Sequence, residues 1–187
     1  TWISDGFPYA AIVLVDGVDG VVVRDLAIDG NPGAATVAGC TPGIVGAYFR
    51  SASGRLDDAA VRNLVLAPGL RGCQDQFAVV ALTATGNADS VVLDGNLIDN
   101  YGKGGVVASG AGVALDAIDN AITTISFILN KGQSWASNGM IGITAGATPA
   151  ILINQGTSVT AGKPIHRRCG SVNILECVRT VPGIRVA

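Results

Sequence analysis

Pairs of short apolar runs recur along the chain, and this recurrence constrains the fold more than any other feature of the sequence. The first pair is AAIVLV (10–15) and VVVRDLAI (21–28). The later pairs are IVGAYF (44–49) with VRNLVL (61–66), AVVALT (78–83) with VVLDGNLI (91–98), GVVAS (105–109) with LDAIDNAI (115–122), and GMIGIT (139–144) with ILINQGTSV (151–159). GIRVA (183–187) is expected to open a sixth unit. Self-similarity of this kind predicts a solenoid in which each unit stacks on the next.

The runs are short, rich in β-branched residues and interrupted by glycine, which predicts β-strands. No helix-period segment lies between them as a crossover, so equivalent strands of successive units are expected to pair in parallel. Chirality favours right-handed winding. The sequence therefore predicts an all-β fold: a single-stranded right-handed parallel β-helix of about five to six coils, without substantial helix, formed by residues 1–187 as one domain.

Composition argues against two classes of partner. A net charge of -2 and a pI near 5.1 give no basic field for nucleic acid. The longest aliphatic stretches are far shorter than the roughly 18 residues that span a bilayer. We therefore expect no nucleic-acid binding and no membrane span.

Each second run carries an acid or amide near its middle, and these side chains are predicted to stack as a polar ladder. Stacked amides hydrogen-bond to one another and to turning backbone, which avoids a desolvation cost of about 1 to 3 kcal/mol for each buried group. The predicted ladder consists of Asp25, Asn63, Asn96, Asn120 and Gln155. The segment SGRLDDAA (53–60) is predicted to be a link with an exposed turn at Asp57-Asp58.

The ends of a β-helix need covers, because a bare terminal coil exposes unpaired backbone and apolar core. The sequence shows no amphipathic capping helix at either end. The expectation is a slice of a longer helix, or a subunit whose ends are covered by end-to-end or lateral self-association.

Three segments carry a resemblance to a known family: VRNLVLAPGL (61–70), VVLDGNLIDNYGKGGVVASGAG (91–112) and SNGMIGITAGATPA (137–150). They look like the coils of secreted bacterial right-handed β-helix repeat proteins of the pectate-lyase-like superfamily. The resemblance covers nearly the whole chain. It implies the fold more than an activity, because this scaffold hosts lyases, hydrolases, epimerases and non-catalytic proteins.

The four cysteines lie at Cys40, Cys73, Cys169 and Cys177, without the spacing of a zinc site. Loops of successive coils stack about 4.8 Å apart, inside the Cα separation of about 4.4 to 6.8 Å that a disulfide requires. The predicted pairs are Cys40 with Cys73 and Cys169 with Cys177. Paired cysteines indicate an oxidising, extracellular location, and the alternative is four free buried cysteines in a cytosolic protein.

The long loops between coils are predicted to leave from one corner and to gather their polar side chains on one face. In the superfamily that the chain resembles, polysaccharide lyases use an Arg or Lys base to remove the proton beside a uronate carboxylate, often with calcium held by aspartates. By this resemblance Lys103 and Arg71 are candidate catalytic bases, and Asp75 and Asp99 are candidate ligands of Ca²⁺. Solvated turn residues, or sugar binding without chemistry, are the alternatives.

Further side chains on these loops are predicted to bind a ligand: Tyr101, Trp135, Gln74, Arg167 and Arg168. Trp135 would stack on a sugar ring, and the two arginines would meet an acidic sugar. The alternative for Trp135 is a lid over the coil edge, and the alternative for Arg167 and Arg168 is a solvated cationic pair.

Other enzyme signatures of the superfamily are missing from the sequence. The Gly-His-Gly segment of polygalacturonase-like hydrolases and the Asp-Pro-His element of alginate epimerases are absent, and no GxSxG elbow accompanies the one histidine, His166. The sequence therefore favours a secreted β-helix with a non-catalytic role, either carbohydrate-associated, with a polysaccharide or cell-surface glycan as partner, or structural. The alternative is a polysaccharide lyase-like enzyme that acts on acidic glycans by β-elimination.

Overall fold

Three sheets form the framework of the protein in the computed structural model, which describes residues 2–4, 8–31, 33–70, 73, 76–83, 87–109, 113–123, 138–143, 150–153, 158–160 and 184–186. Sheet A contains β1 (Trp2–Ser4), β2 (Pro8–Asp16), β5 (Gly43–Arg50), β8 (Gln76–Leu82), β11 (Gly104–Ser109) and β14 (Asn138–Ile143). Sheet B contains β3 (Val21–Arg24), β6 (Gly54–Asp57), β9 (Asp89–Asp94), β12 (Val113–Ile118), β15 (Ala150–Ile153) and β17 (Ile184–Val186). Sheet C contains β4 (Ala27–Asp29), β7 (Ala60–Arg62), β10 (Leu97–Ile98), β13 (Ala121–Thr123) and β16 (Ser158–Thr160).

The chain visits the sheets in the fixed order A, B, C. The sets are β2 to β4, β5 to β7, β8 to β10, β11 to β13 and β14 to β16, and each set is called a repeat below. Register partners lie in adjacent repeats, as Val80 with Val107 and Leu93 with Ala117. Every pair of described strands is parallel except β1 with β2. This all-β architecture is compatible with the predicted parallel β-helix.

Helical structure in the described residues is limited to two short 3-10 segments, Gly33–Thr36 and Pro68–Leu70. No helix in the described part of the chain has the length and apolarity to cross a membrane.

Each second run of the sequence divides into a strand of sheet B and a strand of sheet C. A residue with positive φ makes the corner between them: Asp25 (φ 54°), Asp58 (φ 48°), Gly95 (φ 65°) and Asp119 (φ 50°). Glycine adopts this conformation without strain, and aspartate tolerates it better than most residues do. This corner was not predicted from the sequence, although an Asp or Gly recurs two residues before the first residue of each of these sheet C strands.

The second repeat departs from the prediction. The segment 53–60, expected to be a link, contains β6, and the sheet C strand β7 begins at Ala60. In β6, the polar residues Arg55 and Asp57 flank one buried apolar residue, Leu56. This alternation gives no apolar run, so the strand is hard to recognise in the sequence. The last described strand differs as well. Residues 183–187 were expected in the place of a first run, but β17 pairs with β15 in sheet B.

Side chains from all three sheets meet in one buried cluster. Ala47, Leu56, Val61, Leu93 and Ile98 belong to it, and each is 0% exposed. Other side chains of sheet A, among them Tyr48, Val80 and Val107, form a second buried cluster. Strands β5, β8 and β11 of sheet A are therefore buried on both faces, as is usual for parallel sheets.

A disulfide joins the first two loops that run from sheet C to sheet A. Cys40 and Cys73 are bonded with their Cα atoms 5.2 Å apart, as predicted, and the sequence separation is 33 residues. Closing a loop of this length contributes about 3 to 4 kcal/mol in the chain-entropy account. The predicted pair Cys169 and Cys177 lies outside the described residues.

Candidate functional site

Three of the predicted catalytic and ligand-binding residues lie in the described part of the chain: Asp99, Tyr101 and Lys103. The other predicted site residues lie outside it: Arg71, Gln74, Asp75, Trp135, Arg167 and Arg168. The described part of the candidate site is therefore the segment from Asp99 to Lys103 with its neighbours in the preceding repeats.

A row of polar side chains follows the strands of sheet C, where the chain turns toward sheet A. Asp29 and Arg62 end β4 and β7 and are register partners, and Asp99 follows β10 at the equivalent position. Asn63 and Asn100 come one residue later. These five residues, Asp29, Arg62, Asn63, Asp99 and Asn100, are called the polar corner below.

Hydrogen bonds join the polar corner across three repeats. The Asn100 side-chain amide donates to Asn63 Oδ1, and Asn63 Nδ2 donates to Asp29 Oδ1 at 2.8 Å. Arg62 Nε donates to Asp29 Oδ2 at 2.9 Å. The hydrogen bond from Asn63, with further support from the Asn31 backbone N–H and from Arg62, lowers the pKa of Asp29 below its ordinary value.

Backbone conformation explains why asparagine stands at two of these positions. Asn63 and Asn100 have φ values of 60° and 46°, in the left-handed region. Asparagine visits this region more readily than most residues, because its short polar side chain hydrogen-bonds locally. The same residue thus turns the chain and supplies a bond between repeats.

Asp99 and Lys103 hold their places through backbone hydrogen bonds. The Asp99 N–H donates to Val61 O at 3.0 Å, and the Lys103 N–H donates to Gln76 O at 2.8 Å. Both residues are partly exposed. Within the described ranges, no three His, Cys, Asp or Glu side chains are grouped so that they could hold a metal ion.

Tyr101 was predicted to bind a ligand, but the structure places it in the core. Its side chain is 0% exposed, and its backbone forms a parallel bridge with Leu64, which is also buried. A ring in this position cannot stack on a sugar. The sequence misled here because tyrosine serves equally in a core and at a binding surface.

The Tyr101 hydroxyl is buried and has no hydrogen-bond partner among the described residues, and burial raises the pKa of this group. Tyr101→Phe is therefore expected to be at least as stable as the wild type at pH 7. Because the pKa of this hydroxyl is higher in the folded state than in the unfolded state, the unfolded chain loses the proton first as pH rises above about 10. The wild type therefore keeps its full stability below pH about 10 and loses stability as pH rises toward the folded-state pKa. The variant should gain on the wild type by about 1.4 kcal/mol per pH unit above pH 10.

Urea unfolding of both proteins at pH 7 and pH 11 measures this effect, and ionisation of the other tyrosines cancels in the comparison. A variant that is less stable by about 1 kcal/mol or more at pH 7 would show that the hydroxyl makes a stabilising hydrogen bond.

The predicted polar ladder divides between two corners. Asn96 and Asn120 follow the sheet B to C corner in adjacent repeats, and Asn96 Nδ2 donates to Asn120 Oδ1 at 2.8 Å. Their equivalents in the earlier repeats are Leu26 and Ala59, because Ala27, Ala60, Leu97 and Ala121 are register partners.

The remaining members of the predicted ladder lie elsewhere. Asn63 belongs to the polar corner. It was predicted in the ladder because the second run of its repeat was assigned too late in the sequence. Asp25 is the exposed corner residue with positive φ. Gln155 lies outside the described residues.

The Asn96 side chain forms hydrogen bonds to the preceding repeat as well as to the following one. Its Nδ2 donates to Leu56 O at 2.7 Å, and its Oδ1 accepts from the Ala59 N–H at 3.0 Å. Asn96 is 2% exposed and Asn120 is 1% exposed. This amide therefore satisfies backbone groups that burial would otherwise leave unpaired.

A charged cluster on sheet B was not predicted from the sequence. Arg55 donates to Asp57 at 2.9 Å on its own strand and to Asp94 at 3.2 Å on the next strand. The hydrogen bond to Asp57 is the main reason that the pKa of Arg55 is raised. The period-two spacing of Arg55 and Asp57 was the available signal, but it required β6 to be recognised as a strand.

Comparison with known proteins adds no family to this description. No family model matches the chain, and neither a curated protein nor a solved structure matches it. The resemblance to pectate-lyase-like proteins therefore rests on the pattern of the repeats.

Proposed function

We propose that the protein is a non-catalytic scaffold, a right-handed parallel β-helix of about five to six coils in which the polar corner joins coils to one another. The observation that carries the proposal is the hydrogen-bonded chain from Asn100 through Asn63 to Asp29, which links three repeats.

Side chains that bind a ligand must have donors or acceptors directed at that ligand. At the polar corner, Asn63 uses its Oδ1 toward Asn100 and its Nδ2 toward Asp29, and Asp29 also accepts from Arg62. Binding a sugar with these atoms would require breaking bonds that hold the repeats together. Stability of the stack is therefore the function that these contacts serve best.

The Cys40–Cys73 disulfide supports an extracellular location for this scaffold, because disulfides persist in oxidising compartments. We therefore place the proposed role outside the cell, as a structural component of an assembly or of a glycan-rich surface.

One observation favours a second function, β-elimination on acidic glycans. The Asp99 side chain is partly exposed and forms no ion pair with another described residue, and Lys103 lies four positions later on the same turn. Lys103 would act as the base, and Asp99 would help to hold Ca²⁺ against the uronate carboxylate.

A glycan screen separates the two functions. The full chain is incubated with polygalacturonate, alginate and a neutral glucan, with and without Ca²⁺, while near-ultraviolet absorbance reports unsaturated products and calorimetry reports binding. The scaffold function predicts no absorbance change in any mixture. Product formation that is lost in Lys103→Ala and retained in Arg62→Ala would establish the lyase and overturn the scaffold proposal.

A further inference from the structure

We draw no further inference here: the strongest candidate, the pair of buried polar side chains Gln76 and Tyr101 at successive turns between sheet C and sheet A, belongs to the site already described, because the Gln76 carbonyl oxygen accepts from the Lys103 N–H, and no described residue shows what the unpaired side-chain atoms of the pair would bind.

Discussion

Replacing Gly46 with valine is expected to lower the free energy of unfolding by at least about 4 kcal/mol. Gly46 lies in β5 with its missing side chain directed into the core. A Cβ at this position would lie 2.7 Å from Val61 Cγ1, and it would also contact the Ala78 carbonyl oxygen. The carbonyl belongs to the adjacent strand β8, so relief would require the two strands to separate. Urea unfolding monitored by circular dichroism measures the loss.

Gly69→Val is the matched control for this substitution. Gly69 lies in the exposed 3-10 segment Pro68–Leu70, and a Cβ there meets no atom within 4 Å. We expect a change within about 0.5 kcal/mol for a surface substitution of this kind. If Gly46→Val were tolerated as well as Gly69→Val, the close approach of β5 to β8 would be refuted.

Asn96→Ala is expected to cost about 3 to 5 kcal/mol of stability. The substitution removes an amide that is 2% exposed and leaves the Ala59 N–H and the Leu56 carbonyl without their partner. Each buried group left unpaired costs about 1 to 3 kcal/mol. Because the lost bonds join three repeats, the variant should unfold at a lower urea concentration, and amide hydrogens of β6 and β9 should exchange faster.

Asn31→Ala controls for the loss of an asparagine side chain as such. Asn31 is exposed, and its hydrogen bond to Asp29 uses the backbone N–H, which alanine retains. The expected change is within about 0.5 kcal/mol. A loss in Asn96→Ala no greater than this would mean that the buried amide does not hold the corner.

Architecture was predictable from the sequence because its signal is repeated. Pairs of short apolar runs recur along the chain, and each strand pairs with an equivalent strand, so one pattern predicts both the strands and their parallel pairing. The pairing of Cys40 with Cys73 followed from the same stacking. The second repeat was assigned incorrectly because Arg55 and Asp57 masked β6, which moved Asn63 into the wrong row.

The candidate site was less predictable, because its residue types serve two purposes. Asn63 and Asn100 are polar loop residues in the sequence, and only the fold shows that they turn the chain at positive φ and bond to one another. Tyr101 follows them directly and yet lies in the core. Whether a side chain at such a corner points inward, outward or toward the next repeat depends on one residue of register, which local sequence does not determine.

The central claim is that the polar corner holds neighbouring repeats together, and a double-mutant cycle between Asn63 and Asn100 tests it most directly. Glycine is the suitable replacement at both positions, since it removes the side chain and retains the positive φ without strain. Unfolding free energies of the wild type, Asn63→Gly, Asn100→Gly and the double variant should give a coupling energy of about 1 kcal/mol or more. Additivity within about 0.3 kcal/mol would contradict the claim, because it would mean that the two side chains do not interact across the repeats.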